Sequence, residues 1–152
     1  MSQISKMNEH KIYQKIGELL WSIMPQEAKI IYFTGKIYST FRGWGTDFTL
    51  KNGITSSFDF GQEPTEIEWQ IRDLMDDLIN HDLFKDKWNH YKISLTEEGK
   101  SNVDFSYIPE SDDWVNLYMK GVSDLKREEL DEHNIPLEEW EKRVELKKKN
   151  KL

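Results

Sequence analysis

Between Tyr91 and Tyr107 the chain reads YKISLTEEGKSNVDFSY, with Tyr91, Ile93 and Leu95 alternating before Glu98-Gly99 and Val103, Phe105 and Tyr107 alternating after it. A period of two places one set of side chains on one face, and a one-residue slip would turn every one of them into water. The stretch therefore predicts two antiparallel strands joined by a hairpin, one face against a core. A second hairpin is predicted in TDFTLKNGITSSFDF, where two β-prone runs flank Asn52-Gly53. Asn-Gly supplies the positive φ angles of a two-residue type I′ turn. Upstream, KIIYFTGKIYSTF from Lys29 to Phe41 is rich in β-branched and aromatic residues and predicts a strand, bent or bulged at Gly35. RGWG at 42–45 is expected to break it.

Helical spacing marks the remaining elements. Ile12, Ile16, Leu19, Leu20 and Ile23 form one stripe between Asn8 and Met24, closed by Pro25. Ile67, Ile71, Leu74, Met75 and Leu78 form another, with Thr65 and Glu68 at capping-box spacing. Pro109 ends the last strand, since it has no N–H for a ladder. Ser111 or Asp112 is placed to cap a helix beginning near Trp114, and Pro136 suits the first position of a further helix. The order α-βββ-α-ββ-α(α) predicts an α+β fold, an antiparallel sheet of about five strands with helices packed on it. At 152 residues the chain is expected to form a single domain, 1–152, with a flexible basic tail at 146–152.

Composition limits the chemistry. The chain has no cysteine, so thiol catalysis and zinc–thiolate sites are excluded. MSQISKMNEHKIYQKI has no apolar core of a signal peptide, and no apolar run approaches the roughly 20 residues of a membrane span. A cytoplasmic protein without a membrane partner is expected. Net charge is −7, with thirteen Asp or Glu against five Lys or Arg between Asp104 and Glu145. Such a field repels phosphates, so no direct nucleic-acid contact is expected, whereas a basic protein would be attracted. Acid runs of this kind are also what a solvated helix face looks like.

Catalytic signatures are scarce. His81 and His90, with Asp82 and Asp86 between them, are the nearest approach to a metal set, but no HExxH or HxH spacing occurs. No Gly-x-Ser-x-Gly elbow is present, and the adjacent Asp76 and Asp77 read as solvated acids rather than a catalytic pair. No metal, cofactor or catalytic residue is expected. Candidate partner-binding residues are Trp44, Asp112, Asp113 and Trp114. Trp44 lies between two glycines in an expected loop, where it either anchors an interface or folds back over the sheet. Asp112, Asp113 and Trp114 are either a helix cap with a helix-face Trp or an acidic-aromatic edge for a basic partner.

One resemblance gathers these features. The N-terminal helix ends in SIMP before a β-rich run, RDLMDDLINHDLF forms a central amphipathic helix followed by Trp88, and ISLTEEGKSNVDFSYI joins two strands through Gly-Lys and Asn-Val. With the downstream NIPLEEWEKRV, these segments resemble the YezG-like (EsaG-like) family, small cytoplasmic antitoxins that neutralise toxins exported by bacterial type VII secretion. The likeness spans roughly residues 8–145, and the first hairpin departs from it, with TGKIYSTFRGWG in place of an Asp-Gly-Gly-rich turn. The resemblance implies a non-catalytic immunity protein that binds a cognate toxin, a basic nuclease domain, and blocks its activity until export. A secretion chaperone or adaptor without inhibitory activity, or a small metal-dependent hydrolase, are the other readings of the residues. The family pattern assigns no binding residue here.

Overall fold

Ile12, Ile16, Leu19 and Leu20 recur every three or four residues, so one side of helix α1 (Glu9–Ile23) is apolar and all four are buried. Asn8 caps it by accepting from the Lys11 N–H at 2.9 Å. The computed structural model describes residues 8–80 and 88–152. After α1 come strands β1 (Ala28–Ile37), β2 (Arg42–Leu50) and β3 (Thr55–Ser57), helix α2 (Thr65–Ile79), strands β4 (His90–Thr96) and β5 (Ser101–Ser106), and, after several short 3₁₀ turns, helix α3 (Leu137–Lys148). The five strands form one antiparallel sheet in the order β3-β2-β1-β4-β5, which is the α+β architecture expected from the sequence.

Both α1 and α2 lie on one sheet face. Ile31 and Phe33 of β1 and Tyr91, Ile93 and Leu95 of β4 meet Ile71, Met75 and Leu78 of α2 in a single core. The alternation around Glu98-Gly99 thus holds through Phe105, but β5 ends at Ser106 and Tyr107 is exposed. A second, smaller core forms after β5, where Leu117, Val122, Leu125, Leu130 and Ile135 pack with Trp114 and Trp140. The indole N–H of Trp140 on α3 reaches the Leu125 carbonyl at 3.0 Å, tying that helix to the 3₁₀ segment. No helix among the described residues is long and apolar enough to cross a membrane.

Several local expectations change. The Asn52-Gly53 turn is not type I′, because only Gly53 has positive φ (89°) and Asn52 instead accepts from the Ile54 N–H. Gly53 donates to Leu50 O while Leu50 donates to Ile54 O, the three-residue hairpin with a left-handed glycine. Glu98-Gly99 closes the same way, with Gly99 (φ 85°) donating to Thr96 O and Thr96 donating to Lys100 O. Gly99→Ala is expected to lower stability by about 1–2 kcal/mol, measured by urea unfolding, since a Cβ at this φ is strained with nothing nearby to compensate. No change would mean that the turn can relax to another geometry.

At the start of α2 the capping box is absent. Pro64 holds the N-cap position, and buried Glu68 accepts from the Thr46 hydroxyl at 2.6 Å, because it faces β2 rather than the helix end. RGWG does not break the strand but begins β2, and Gly35 pairs regularly while the irregularity falls between Ala28 and Ile30. No α-helix begins near Trp114. A 3₁₀ turn occupies Glu110–Asp112, and left-handed Asn116 (φ 61°) and Met119 (φ 70°) keep the chain irregular. Pro136 sits one position before α3, and the basic tail is helical through Lys148.

Candidate functional site

Lys36 is a charge next to the last residue of a largely apolar strand. Its neighbours Gly35 and Ile37 face the helices, so period-two alternation turns Lys36 to the opposite face, beside its cross-strand partner His90. The segment after Pro109 folds over that face and covers both side chains, leaving Lys36 4% and His90 0% exposed. A buried ammonium is stable only if all three protons find acceptors. They do: Asp113 Oδ1 at 2.9 Å, Trp114 O at 2.8 Å and Leu117 O at 3.2 Å. The irregular backbone from Trp114 to Leu117 is thus shaped to solvate a lysine, and its carbonyls serve Lys36 rather than a helix.

His90 is equally engaged. Its Nδ1 accepts from the Met119 N–H at 2.9 Å, which places the ring proton on Nε2. Nε2 donates to the Tyr38 hydroxyl at 2.9 Å, and that hydroxyl donates to Ile108 O at 2.8 Å. Asn89 pins the same corner, exchanging two hydrogen bonds of 2.8 Å with the backbone of Ile108. Burial and the nearby Asp113 carboxylate push the Tyr38 hydroxyl well above its ordinary pKa. Burial also opposes ionisation of Asp113, but the His90 Nε2–H 3.6 Å away and the hydrogen bond and charge of Lys36 outweigh it and hold that carboxyl below the usual carboxylate value.

Because the folded pKa of Asp113 lies below the unfolded one, its contribution is fully present above about pH 3.9 and is lost as pH falls through the folded value. Acid unfolding of Asp113→Asn should therefore show a shallower loss of stability below about pH 4 than the wild type. Equal slopes would contradict the ion pair.

Above this network lies a cleft of about 740 Å³. Phe41, Arg42, Gly43 and Trp44 form one wall; Glu110, Asp113, Trp114, Val115 and Tyr118 form the other, with Lys36 between them. Gly43 lets the walls close, since a Cβ there would stand 3.1 Å from Lys36 Cε and 3.3 Å from the Tyr118 hydroxyl. Three of the four residues singled out in the sequence, Trp44, Asp113 and Trp114, converge on this cleft.

Their environments differ from expectation, however. Trp44 belongs to a strand and is half-buried, with the Arg72 guanidinium 5.0 Å from its ring. Asp112 does not line the cleft. It is 3% exposed and accepts from the Ser123 hydroxyl at 2.6 Å and the Ser123 N–H at 3.1 Å. Asp112 and Asp113 are therefore not an open acidic edge but anchors that hold the segment to the sheet. Trp114 donates to His133 O at 3.0 Å, and Arg143 lies 5.3 Å from its ring while donating to Asp113 O.

No protein-family model and no curated protein matches the chain. The site must be read from its own geometry. Asp76 is not freely solvated, since both its oxygens accept from Arg42 Nε at 3.0 Å. Of the proposed metal set, His81, Asp82 and Asp86 lie outside the described residues, and His90 has both ring nitrogens in hydrogen bonds. Among the described residues no three His, Cys, Asp or Glu come together as a metal site. Lys36, Phe41 and Val115 also line the cleft and are not among the candidates that the sequence offers. A lysine inside KIIYFTGKI was the available signal for the first; the exposure of Phe41 (39%) and Val115 (71%) left none.

Proposed function

We propose that this chain is an immunity protein that binds a basic toxin domain, of nuclease type, and masks its activity. The observation that carries this reading is the cleft itself. Exposed Phe41 and Val115 flank it, Trp44, Trp114 and Tyr118 line it, and the polar groups at its base are engaged with one another. An apolar, aromatic centre inside a charged rim is the anatomy of a protein–protein interface. The buried proton-transfer groups Tyr38 and His90 serve to fix the segment after Pro109, which favours recognition over chemistry.

Charge supports the same partner. A net charge of −7 steers a basic surface toward the chain, and exposed Glu110, Glu128, Asp131, Glu138 and Glu141 supply that field where Asp112 and Asp113 cannot. A nuclease needs a cationic surface for its own substrate, so it presents the complementary charge. The resemblance to YezG-like antitoxins points the same way.

Co-purification from the native host tests this. The expected result is a stoichiometric partner, more firmly held at low than at moderate salt, whose nuclease activity emerges only after this chain is stripped away. A stable partner without latent activity would replace inhibition by a chaperone or adaptor role. Failure to recover any partner at either salt would overturn the proposal.

A further inference from the structure

Charges around the cleft do not cancel. Lys36 is neutralised by Asp113, and Arg42 by Asp76, in pairs of 2.9 and 3.0 Å. Glu110 on the rim has no ion-pair partner among the described residues, so one carboxylate is left over. At the base, Asp113 is 10% exposed and uses only Oδ1 toward Lys36, leaving Oδ2 without a hydrogen-bond partner among the described residues. Lys36 cannot turn to it, because its three protons are already placed. The second oxygen of a side chain that is itself nine-tenths buried thus remains open, and Asp113 shares the cleft lining with Phe41, Trp44, Trp114 and Tyr118.

We infer that the cleft receives an arginine side chain presented on a loop of the protein partner, its guanidinium donating to Asp113 Oδ2 with Glu110 closing the rim. This rests on the binding role proposed above and adds the chemistry of the bound group. Arginine fits better than lysine for two reasons. A planar guanidinium donates to a carboxylate while its faces stay against aromatic rings, and it is less strongly hydrated than an ammonium. Cations already lie against the rings of this cleft, Arg72 at 5.0 Å from Trp44, Arg143 at 5.3 Å from Trp114 and Lys36 at 4.9 Å from Tyr118. The cleft's volume of about 740 Å³ admits the residues flanking an arginine as well as its side chain.

The test requires no knowledge of the partner. The peptide Gly-Arg-Gly and its uncharged isostere Gly-citrulline-Gly are titrated into the protein, with the indole N–H resonances of Trp44 and Trp114 followed by NMR. Saturable shifts at these two indoles, about tenfold tighter for the arginine peptide, are expected. Glu110→Gln should weaken arginine binding about threefold without changing the melting temperature, because Glu110 is exposed and holds nothing in place. Equal affinities for the two peptides, shifts that never saturate, or an unaltered Glu110→Gln would overturn the assignment. Such a failure is distinguishable from failure of the immunity role: a latent nuclease recovered by co-purification alongside a silent titration retains the role and rejects arginine as the occupant.

Discussion

Replacing Lys36 with Met should lower the unfolding free energy by about 3–5 kcal/mol, the largest loss expected from any single polar substitution here. The ammonium is 4% exposed and donates to one carboxylate and two carbonyls. Removing it leaves Asp113 as a nearly buried charge with only His90 Nε2, 3.6 Å away, beside it, and the Trp114–Leu117 backbone without the centre around which it is wrapped. Urea unfolding measures the effect. Adding Asp113→Leu to Lys36→Met should recover part of the loss, because the uncompensated charge then disappears. A cost below about 1 kcal/mol for Lys36→Met would show that the segment after Pro109 holds to the sheet without this pair.

Gly35→Ala is the second large effect. A Cβ on Gly35 would fall inside the Tyr91 ring, against Cζ, Oη and Cε1. Tyr91 cannot yield easily, since it is 1% exposed and packed against Phe33 and Trp88 with ring centroids at 6.1 and 6.0 Å. Overpacking of this kind costs about 1–3 kcal/mol, and a central strand without freedom to shift places the cost at the upper end. In a Tyr91→Leu background the same alanine should cost less than about 1 kcal/mol, because the clashing ring is gone. Equal costs in both backgrounds would assign the effect to the backbone of β1 rather than to the ring.

These two residues adjoin in the sequence, and their contrast shows what could be read there. Alternation specifies faces, so spacing alone puts Tyr91, Ile93 and Leu95 on the core side, and the hairpins imply the five-strand antiparallel sheet. Alternation cannot say what covers the other face. That Lys36 and His90 lie beneath the segment after Pro109 depends on contacts 77 residues apart for Lys36 and Asp113, and 29 apart for His90 and Met119. The same long-range demand explains the mistaken helix at Trp114. Locally, Ser111-Asp112-Asp113 is a good cap, yet Lys36 draws the Trp114 and Leu117 carbonyls to itself and the helix does not form. Glu68 departs from the capping box for a parallel reason, its carboxylate accepting from Thr46 on β2.

The candidate residues fared according to the same rule. Trp44, Asp113 and Trp114 stand out in the sequence by residue type, and the fold brings them to one cleft. Asp112 stands out on the same grounds but is buried against Ser123, because Gly121 has no Cβ to keep its carboxylate away. Composition identifies residues that interfaces favour, but only packing decides which of them face outward.

If this cleft engages the partner and silences it, obstructing the cleft must release the partner's activity. The most direct measurement is the inhibition constant of Val115→Arg against the stripped partner's nuclease activity. Val115 is 71% exposed on the cleft wall, so the substitution leaves the core untouched while filling the cleft's mouth with a bulky cation. Inhibition weakened by about a hundredfold, with an unchanged melting temperature, is the predicted result, corresponding to about 2.7 kcal/mol of lost binding. Undiminished inhibition by Val115→Arg would place the interface elsewhere and contradict the account.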